Sequence, residues 1–293
     1  MEINEVRGLK RRRVRLASVG LAAVLGLILV LLYGYAGAFR VTVTHVTVAD
    51  PDFCRVLKGK TLAHLSDLHM NGSGEREKKV LGLLSDIRPD LVLMTGDYIA
   101  WKKDVRPALD FLSKLKAPLG VFAVLGDYDY SVSRQSCLFC HEKGTGRRTR
   151  AHTVRMLRNE TATLDTGIGR LAVFGFDEKD DGAEIDALVR NEIPENVPAL
   201  VLAHNPLKFQ KIDPAHPVLM LAGDTHGGQI PLPGFLWRCL GYEKNAVYNS
   251  GMFREGRKIL SVSRGIGTSH LPIRLFCPAE IVVYHFSEEE TAR

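Results

Sequence analysis

Residues 61–69 read Thr61-Leu62-Ala63-His64-Leu65-Ser66-Asp67-Leu68-His69, a short apolar run that stops at an Asp and a His two positions apart. Five such residues are too few for a typical helix and fit a buried strand. The same theme recurs four times. Leu91–Met94 leads to Gly96-Asp97, and Val121–Leu125 leads to Gly126-Asp127-Tyr128-Asp129. Ala199–Ala203 leads to His204-Asn205, and Val218–Ala222 leads to Gly223-Asp224-Thr225-His226. Helix-like stretches, Arg76–Ile87 and Val105–Leu115, lie between the first runs, and Pro89 and Pro118 mark the returns to strand. Strands alternating with helices predict an α/β core. Val41–Val48 alternates with period two as a half-buried strand, and Leu171–Phe174, Ile259–Val262 and Ile281–Phe286 predict a second sheet.

One Asp-x-His pair would be an ordinary surface pair or helix cap. Five strand ends that all offer Asp or His are different, because ligands of α/β sheets collect at the carboxyl ends of the strands. Carboxylates gathered there repel one another unless cations hold them, and two divalent ions would do so. Gly96, Gly126 and Gly223 let the backbone turn sharply just before each candidate ligand. Two adjacent metals form a clamp for phosphoryl transfer, activating water and neutralising phosphate oxygens.

The chain has 293 residues, 45% apolar and 25% charged, with a formal net charge of +6. That composition excludes disorder, collagen-like repeats and a disulfide scaffold. Six basic and two acidic residues lie in 1–15, so the tail accounts for four of the six net charges. The near-neutral remainder speaks against nucleic-acid binding. Leu16–Phe39 is a run of 24 uncharged residues, which as a helix is long enough for a bilayer core. Ala36-Gly37-Ala38 is a small-x-small cleavage pattern, but the run is longer than a usual signal segment, so an uncleaved single-pass anchor is expected. The basic flank predicts an N-in orientation with the catalytic domain outside the cytoplasm. Association with the cytoplasmic face is the alternative, and it is the one that a cytoplasmic lipid substrate would require. The expected organisation is a basic tail (1–15), an anchor (16–39) and a domain over 40–293, with a Cys-containing insertion at about 131–150.

In their order, DLH (67–69), GD (96–97), GDYD (126–129), H (204) and GDTH (223–226) resemble calcineurin-like metallophosphoesterases. GDTHGGQI (223–230) and SRGIGTSHLPIRLFCPAEI (263–281) are similar to the bacterial membrane-anchored branch, which includes phosphodiesterases and a lipid A pathway pyrophosphohydrolase. The resemblance spans roughly residues 60–286. It implies two packed mixed β-sheets flanked by helices. It also implies one metal held by Asp67, His69, Asp97 and His226, and a second by Asp97, Asp127, His204 and Asp224. Asp97 would bridge the two ions.

Three positions depart from the family pattern. Asp127 stands where Asn is usual and Asp224 where His is usual, and the added oxygen donors favour manganese, magnesium or iron over zinc. Tyr128 replaces a His that protonates the leaving group or stabilises the transition state. A phenol with a pKa near 10 still donates a hydrogen bond but is a weaker acid. This points to a phosphodiester or pyrophosphate bond, in a phosphorylated small molecule or a lipid, rather than a simple monoester. Asp129 is expected to orient Tyr128. Asn205 and His270 are candidate substrate contacts, and His64 is a candidate support for the Asp67 turn.

Five cysteines cannot all pair within one chain. Cys54, Cys239 and Cys277 read as isolated small residues. Cys137-Leu138-Phe139-Cys140-His141 has the spacing of a c-type haem attachment site, and a structural metal or a local disulfide fits it equally well. The alternative function is therefore a haem-bearing or metal-binding redox protein on a phosphoesterase scaffold with weak or lost hydrolase activity.

Overall fold

The computed structural model describes residues 2–72, 74–101, 103–130, 139–140, 151–179, 185–193 and 197–288, with the side chains of its first helix from residue 15 onward. In chain order these are α1 (Glu2–Gly37), β1 (Val41–Val48), α2 (Pro51–Leu57), β2 (Thr61–Leu65), α3 (Glu75–Ile87), β3 (Leu91–Thr95), α4 (Arg106–Lys114) and β4 (Val121–Val124). There follow β5 (Arg155–Met156), β6 (Glu160–Asp165), β7 (Arg170–Gly175), α5 (Ile185–Glu192), β8 (Ala199–Leu202) and β9 (Val218–Ala222). The chain ends with α6 (Gly234–Cys239), α7 (Glu243–Val247), β10 (Gly251–Glu255), β11 (Lys258–Val262) and β12 (Ala279–Phe286).

The strands form two six-stranded mixed sheets, ordered β1-β12-β2-β3-β4-β5 and β10-β11-β9-β8-β7-β6. In the first, β2, β3, β4 and β5 run parallel and β12 is antiparallel to β2. In the second, β11, β9, β8 and β7 run parallel, and β10 and β6 close the edges antiparallel. Parallel strands are covered on both faces, which is why their sequences are continuous apolar runs. Period two decides which face each residue serves. Leu91 and Leu93 of β3 point between the sheets, where they meet Leu200 and Leu202 of β8 and Leu219 and Leu221 of β9. Val92 and Met94 point outward, under Val80 and Leu84 of α3 and Phe111 and Leu112 of α4. The second sheet's outer face is covered by Ile185 and Val189 of α5 and by Phe209. Each fully buried leucine contributes about 1.5–3 kcal/mol from area removed from water.

This sandwich brings the carboxyl ends of β2, β3 and β4 to the same end as those of β8 and β9. The expected strands and helices occur at the expected places in the two-sheet arrangement anticipated above, with one correction: Ile281–Phe286, expected in the second sheet, belongs to β12, whose pairing with β1 on one side and β2 on the other sets it inside the first. Most of the 131–150 segment lies outside the described residues. Within it, Phe139 is fully buried and edge-on to Tyr98, with ring centroids 5.4 Å apart.

Candidate active site

Five strand ends build the site, and the backbone there is unusual. Asp67, His69, Asp97, Asp224 and His226 all have positive φ, between 42° and 73°. Non-glycine residues avoid this left-handed region, and such strain clusters where function demands a particular side-chain aim. The loops are tied to each other across the strand ends: Asp67 N–H donates to Gly96 O at 3.0 Å and His69 N–H to Asp97 O at 2.9 Å. Gly223 is required for close approach, since a Cβ there would lie 1.9 Å from Ser66 Oγ and 2.4 Å from Asp67 Oδ2.

Six of the seven candidate ligands converge. The Nε2 atoms of His69 and His226 face each other at 3.0 Å, and His226 Nε2 lies 3.4 Å from Asp67 Oδ1. Asp97 Oδ2 sits 3.5 Å from both His69 Nε2 and His204 Nε2. Asp224 Oδ1 is 4.0 Å from His204 Nε2, and the Asp224 N–H donates to both Asp67 oxygens. Asp127 is half-buried at the start of the 127–129 turn, and its charge raises the pKa values of Tyr128, Glu178 and Lys244.

The donor set tests whether cations fit. His204 Nδ1 lies 2.7 Å from Thr95 O, which fixes the Nδ1–H tautomer and turns the Nε2 lone pair into the site. That buried Nε2 makes no hydrogen bond, an arrangement that is costly unless a cation takes the lone pair. Two clusters of donor atoms, Asp67–His69–His226 and Asp67–Asp97–His204, are each compact enough to hold an ion. Without metal charge, burial pushes Asp67 up to about 7, Asp97 adding to the rise, and lowers His69 to about 4. His226 is also lowered by burial, whereas the carboxylates around His204 overcome its burial and raise it. Bound cations reverse this balance by favouring ionised carboxylates and neutral imidazoles. The residues fit two divalent ions.

Tyr128 stands half-buried over the first cluster, edge-on to His69 at 4.9 Å and flanked by Trp101 at 5.3 Å. Its backbone N–H donates to Asp97 Oδ1 at 3.0 Å. Burial raises the phenol pKa, aided by the Asp97, Asp127 and Asp224 charges, so Tyr128 remains a hydrogen-bond donor. The expectation for Asp129 needs correction. Its Oδ2 accepts from Asp97 N–H at 2.7 Å and Gly126 N–H at 2.9 Å, and its Oδ1 accepts from Tyr98 N–H at 2.7 Å. A fully buried carboxylate used this way clips two ligand loops together instead of orienting the phenol.

Asn205 caps the 206–211 turn, its Oδ1 accepting from Leu207 N–H at 2.9 Å. His270 is exposed on the 269–277 loop. His64 is fully buried and bonded to Thr95 Oγ1 at 2.8 Å; Thr95 in turn bonds Ser66 Oγ at 2.7 Å, so this chain supports the Asp67 turn. Cys140 is disulfide-bonded, and its sulfur is therefore not available as a haem thioether or metal thiolate. Cys137 and His141 lie outside the described residues. Cys54, Cys239 and Cys277 are free.

Sequence reasoning missed several residues here. Lys244 of α7 pairs with Asp224 Oδ2. Glu178, just past β7, is pushed up to about 7 by burial and faces His204, Lys208, Asp224 and Asp127. It follows an apolar strand as the other candidates do, so the same signal would have found it.

The family model for calcineurin-like phosphoesterases matches residues 60–228, more than half of the chain and all five strand-end motifs from Asp67 to His226. The chain belongs to that family. It is a metal-dependent phosphoester hydrolase. Similar proteins include the uncharacterized metallophosphoesterase YkuE of Bacillus subtilis, 26% identical over 86% of this chain and 88% of that one. The UDP-2,3-diacylglucosamine pyrophosphatase LpxG of Chlamydia trachomatis is 28% identical over 90% of this chain and 96% of its own length. The phosphodiesterase YaeI of Escherichia coli is 26% identical over 69% of this chain and 75% of its own.

Proposed function

We propose that this hydrolase is anchored by α1 and cleaves a phosphodiester or pyrophosphate bond in a lipid- or nucleotide-linked substrate. The observation that carries the reading is the convergence of Asp67, His69, Asp97, His204, Asp224 and His226 on one crevice, five of the strand-end residues held in left-handed backbone. Asp67, His69, His226 and Asp97 would hold one ion, and Asp97, His204, Asp224 and Asp127 the other. Bound there, divalent ions would supply Lewis acidity toward phosphate oxygens and lower the pKa of water, with manganese, magnesium or iron favoured by the oxygen-rich second set.

The chain's own groups do the rest. Asp129 and the Thr95 carbonyl fix the loops and the His204 tautomer, so the donors need no rearrangement. Tyr128 offers a hydrogen bond to a phosphoryl oxygen. Its raised pKa makes it a poor proton source, which suits leaving groups that need little proton help. Lys244, the half-buried Tyr128 and the exposed Trp101 packed edge-on to it border the crevice and suit an anionic substrate with a flat or apolar portion.

Two observations support placing the domain outside the cytoplasm. Arg15–Gly37 is long and apolar enough to cross a membrane and follows a basic flank. Cys140 is disulfide-bonded, a state kept in oxidising compartments. The names of the relatives LpxG and YaeI support lipid pyrophosphate and phosphodiester substrates respectively. The test is hydrolysis in vesicles of a nucleoside-diphosphate diacyl lipid beside bis-p-nitrophenyl phosphate, with manganese present or chelated. Manganese-dependent cleavage of either supports the proposal, and cleavage of neither overturns it.

A further inference from the structure

Outside α1, eleven large apolar side chains are exposed among the described residues, and seven of them fall on two segments, 230–242 and 271–276. Phe276 is 80% exposed, Phe235 65%, Leu271 64% and Leu240 59%. Both segments are fastened to the turn that carries His226. The Gln229 side-chain amide donates to Leu271 O at 3.1 Å and to Ile273 O at 3.0 Å, and Leu275 N–H donates to Gln229 O at 2.9 Å. Trp237 of α6 packs directly over Gly228.

The 271–276 loop also lies along α1. Arg274 N–H donates to Gly34 O at 2.9 Å, and a Cβ on Gly37 would come within 2.4 Å of Arg274 O. Phe276 meets Tyr33 with ring centroids 5.8 Å apart, and Pro272 and Ile273 share an apolar groove with Ile28, Leu31, Leu32 and Tyr35. Ile28 lies eleven residues before the end of the uncharged run at Phe39, roughly 16 Å along a helix. If α1 spans a bilayer whose hydrocarbon core is about 30 Å thick, the loop packed on Ile28–Tyr35 sits at hydrocarbon depth.

Irregular backbone survives at that depth only with its polar groups satisfied. Much of this loop is paired within the protein, the Ile273, Arg274 and Leu275 N–H groups donating to Leu271 O, Gly34 O and Gln229 O. The Leu271 and Ile273 carbonyls accept from Gln229, and Gly267 O and Cys277 O accept from the fully buried guanidinium of Arg274 at 3.1 and 3.2 Å. Phe276 holds φ 52°, so a bulky apolar side chain is kept pointing outward in strained backbone.

We propose that segments 230–242 and 271–276 form a membrane-inserted face beside the catalytic crevice, whose partner is the acyl region of the leaflet at the C-terminal end of α1. The inference rests on the reading of α1 as a membrane span. It sets the His226 side of the crevice at the bilayer surface, where the phosphate of a membrane lipid is reached without extracting its chains.

The test uses the full chain reconstituted in phosphatidylcholine vesicles containing lipids brominated at defined acyl positions. Phe276→Trp and, separately, Leu271→Trp are compared with Ile168→Trp, which adds an indole on the β6–β7 turn at the opposite end of the strands. For a side chain buried at the headgroup–acyl boundary, bromine quenching of the added fluorescence at 276 or 271 should exceed that at 168 by at least about threefold. Equal quenching at all three positions overturns the proposal. Carbonate extraction separates the two failures. A chain stripped from the vesicles refutes the anchor itself, whereas a retained chain with no quenching at 276 or 271 refutes the inserted face alone. Crosslinking of 276 to another copy without quenching would assign the face to a second chain and overturn the proposal too.

Discussion

Asp129→Ala removes a carboxylate that leaves no trace in a list of candidate metal ligands, yet the structure gives it three backbone donors at 2.7, 2.7 and 2.9 Å in a site closed to solvent. Each donor left without a partner costs about 1–3 kcal/mol. The carboxylate's own burial is unfavourable, pushing it up to about 8 with Asp97 adding to the rise, and its removal relieves that cost. The net loss expected is about 3–5 kcal/mol, within the range for breaking a buried hydrogen-bond network. At about 2–4 °C per kcal/mol for a domain of this size, melting should fall by about 6–20 °C. The measurement is calorimetric or circular-dichroism melting of the full, chelator-treated chain in detergent. Asp110→Ala, which removes only an exposed pair with Lys114, serves as the control and should change stability by less than about 0.5 kcal/mol. If Asp129→Ala melted with Asp110→Ala and instead lost activity in step with Tyr128→Phe, Asp129 would orient the phenol after all, and the clip between the loops would be refuted.

The remaining expectations are brief. Lys244→Gln frees Asp224 from its ion pair and should tighten the weaker class of manganese site by about tenfold in calorimetric titration, so an unchanged affinity would remove Lys244 from the site's electrostatics. Tyr128→His should raise turnover of phenyl phosphate, a monoester with a poor leaving group, by about tenfold while leaving the diester rate nearly unchanged; no gain would refute the proton-donor argument. In the metal-free chain Asp67 and Glu178 are raised to about 7, far above their unfolded values, so the folded state binds more protons than the unfolded one up to that pH. His69 and His64, lowered to about 4 and about 3, act oppositely but only below the ordinary histidine range. Metal-free stability should therefore fall as pH rises from 6.5 to 8, while manganese affinity rises over the same window with proton release. Denaturant melts and titrations in two buffers of different ionisation enthalpy would detect the reverse.

The strand ends were legible because β2, β3, β4, β8 and β9 are covered on both faces and so read as uninterrupted apolar runs. Each stops at a polar residue that the sheet geometry delivers to one edge. β6, with the sequence Glu160-Thr-Ala-Thr-Leu-Asp165, and β10, largely exposed, are edge strands whose pairing depends on tertiary neighbours, and no apolar run announced them. Asp129 was misread for a related reason. Its three donors come from Gly126 and from residues 97–98 on another loop, a meeting that only the β3–β4 pairing creates. Lys244 reaches Asp224 from a short helix twenty residues away. Arg274 presented as one more basic residue in a loop, and only its burial among carbonyls shows that it organises the backbone beneath His226.

The most direct test of the central claim is hydrolysis by the full chain in detergent, stripped with chelator and then given manganese, magnesium or zinc. Bis-p-nitrophenyl phosphate is compared with p-nitrophenyl phosphate, and Asp97→Asn is the blank. The account predicts activity that returns with metal, prefers the diester and falls at least about 100-fold in Asp97→Asn, as expected when a bridging ligand is lost. Activity that survives chelation, or that is equal in Asp97→Asn, would contradict it.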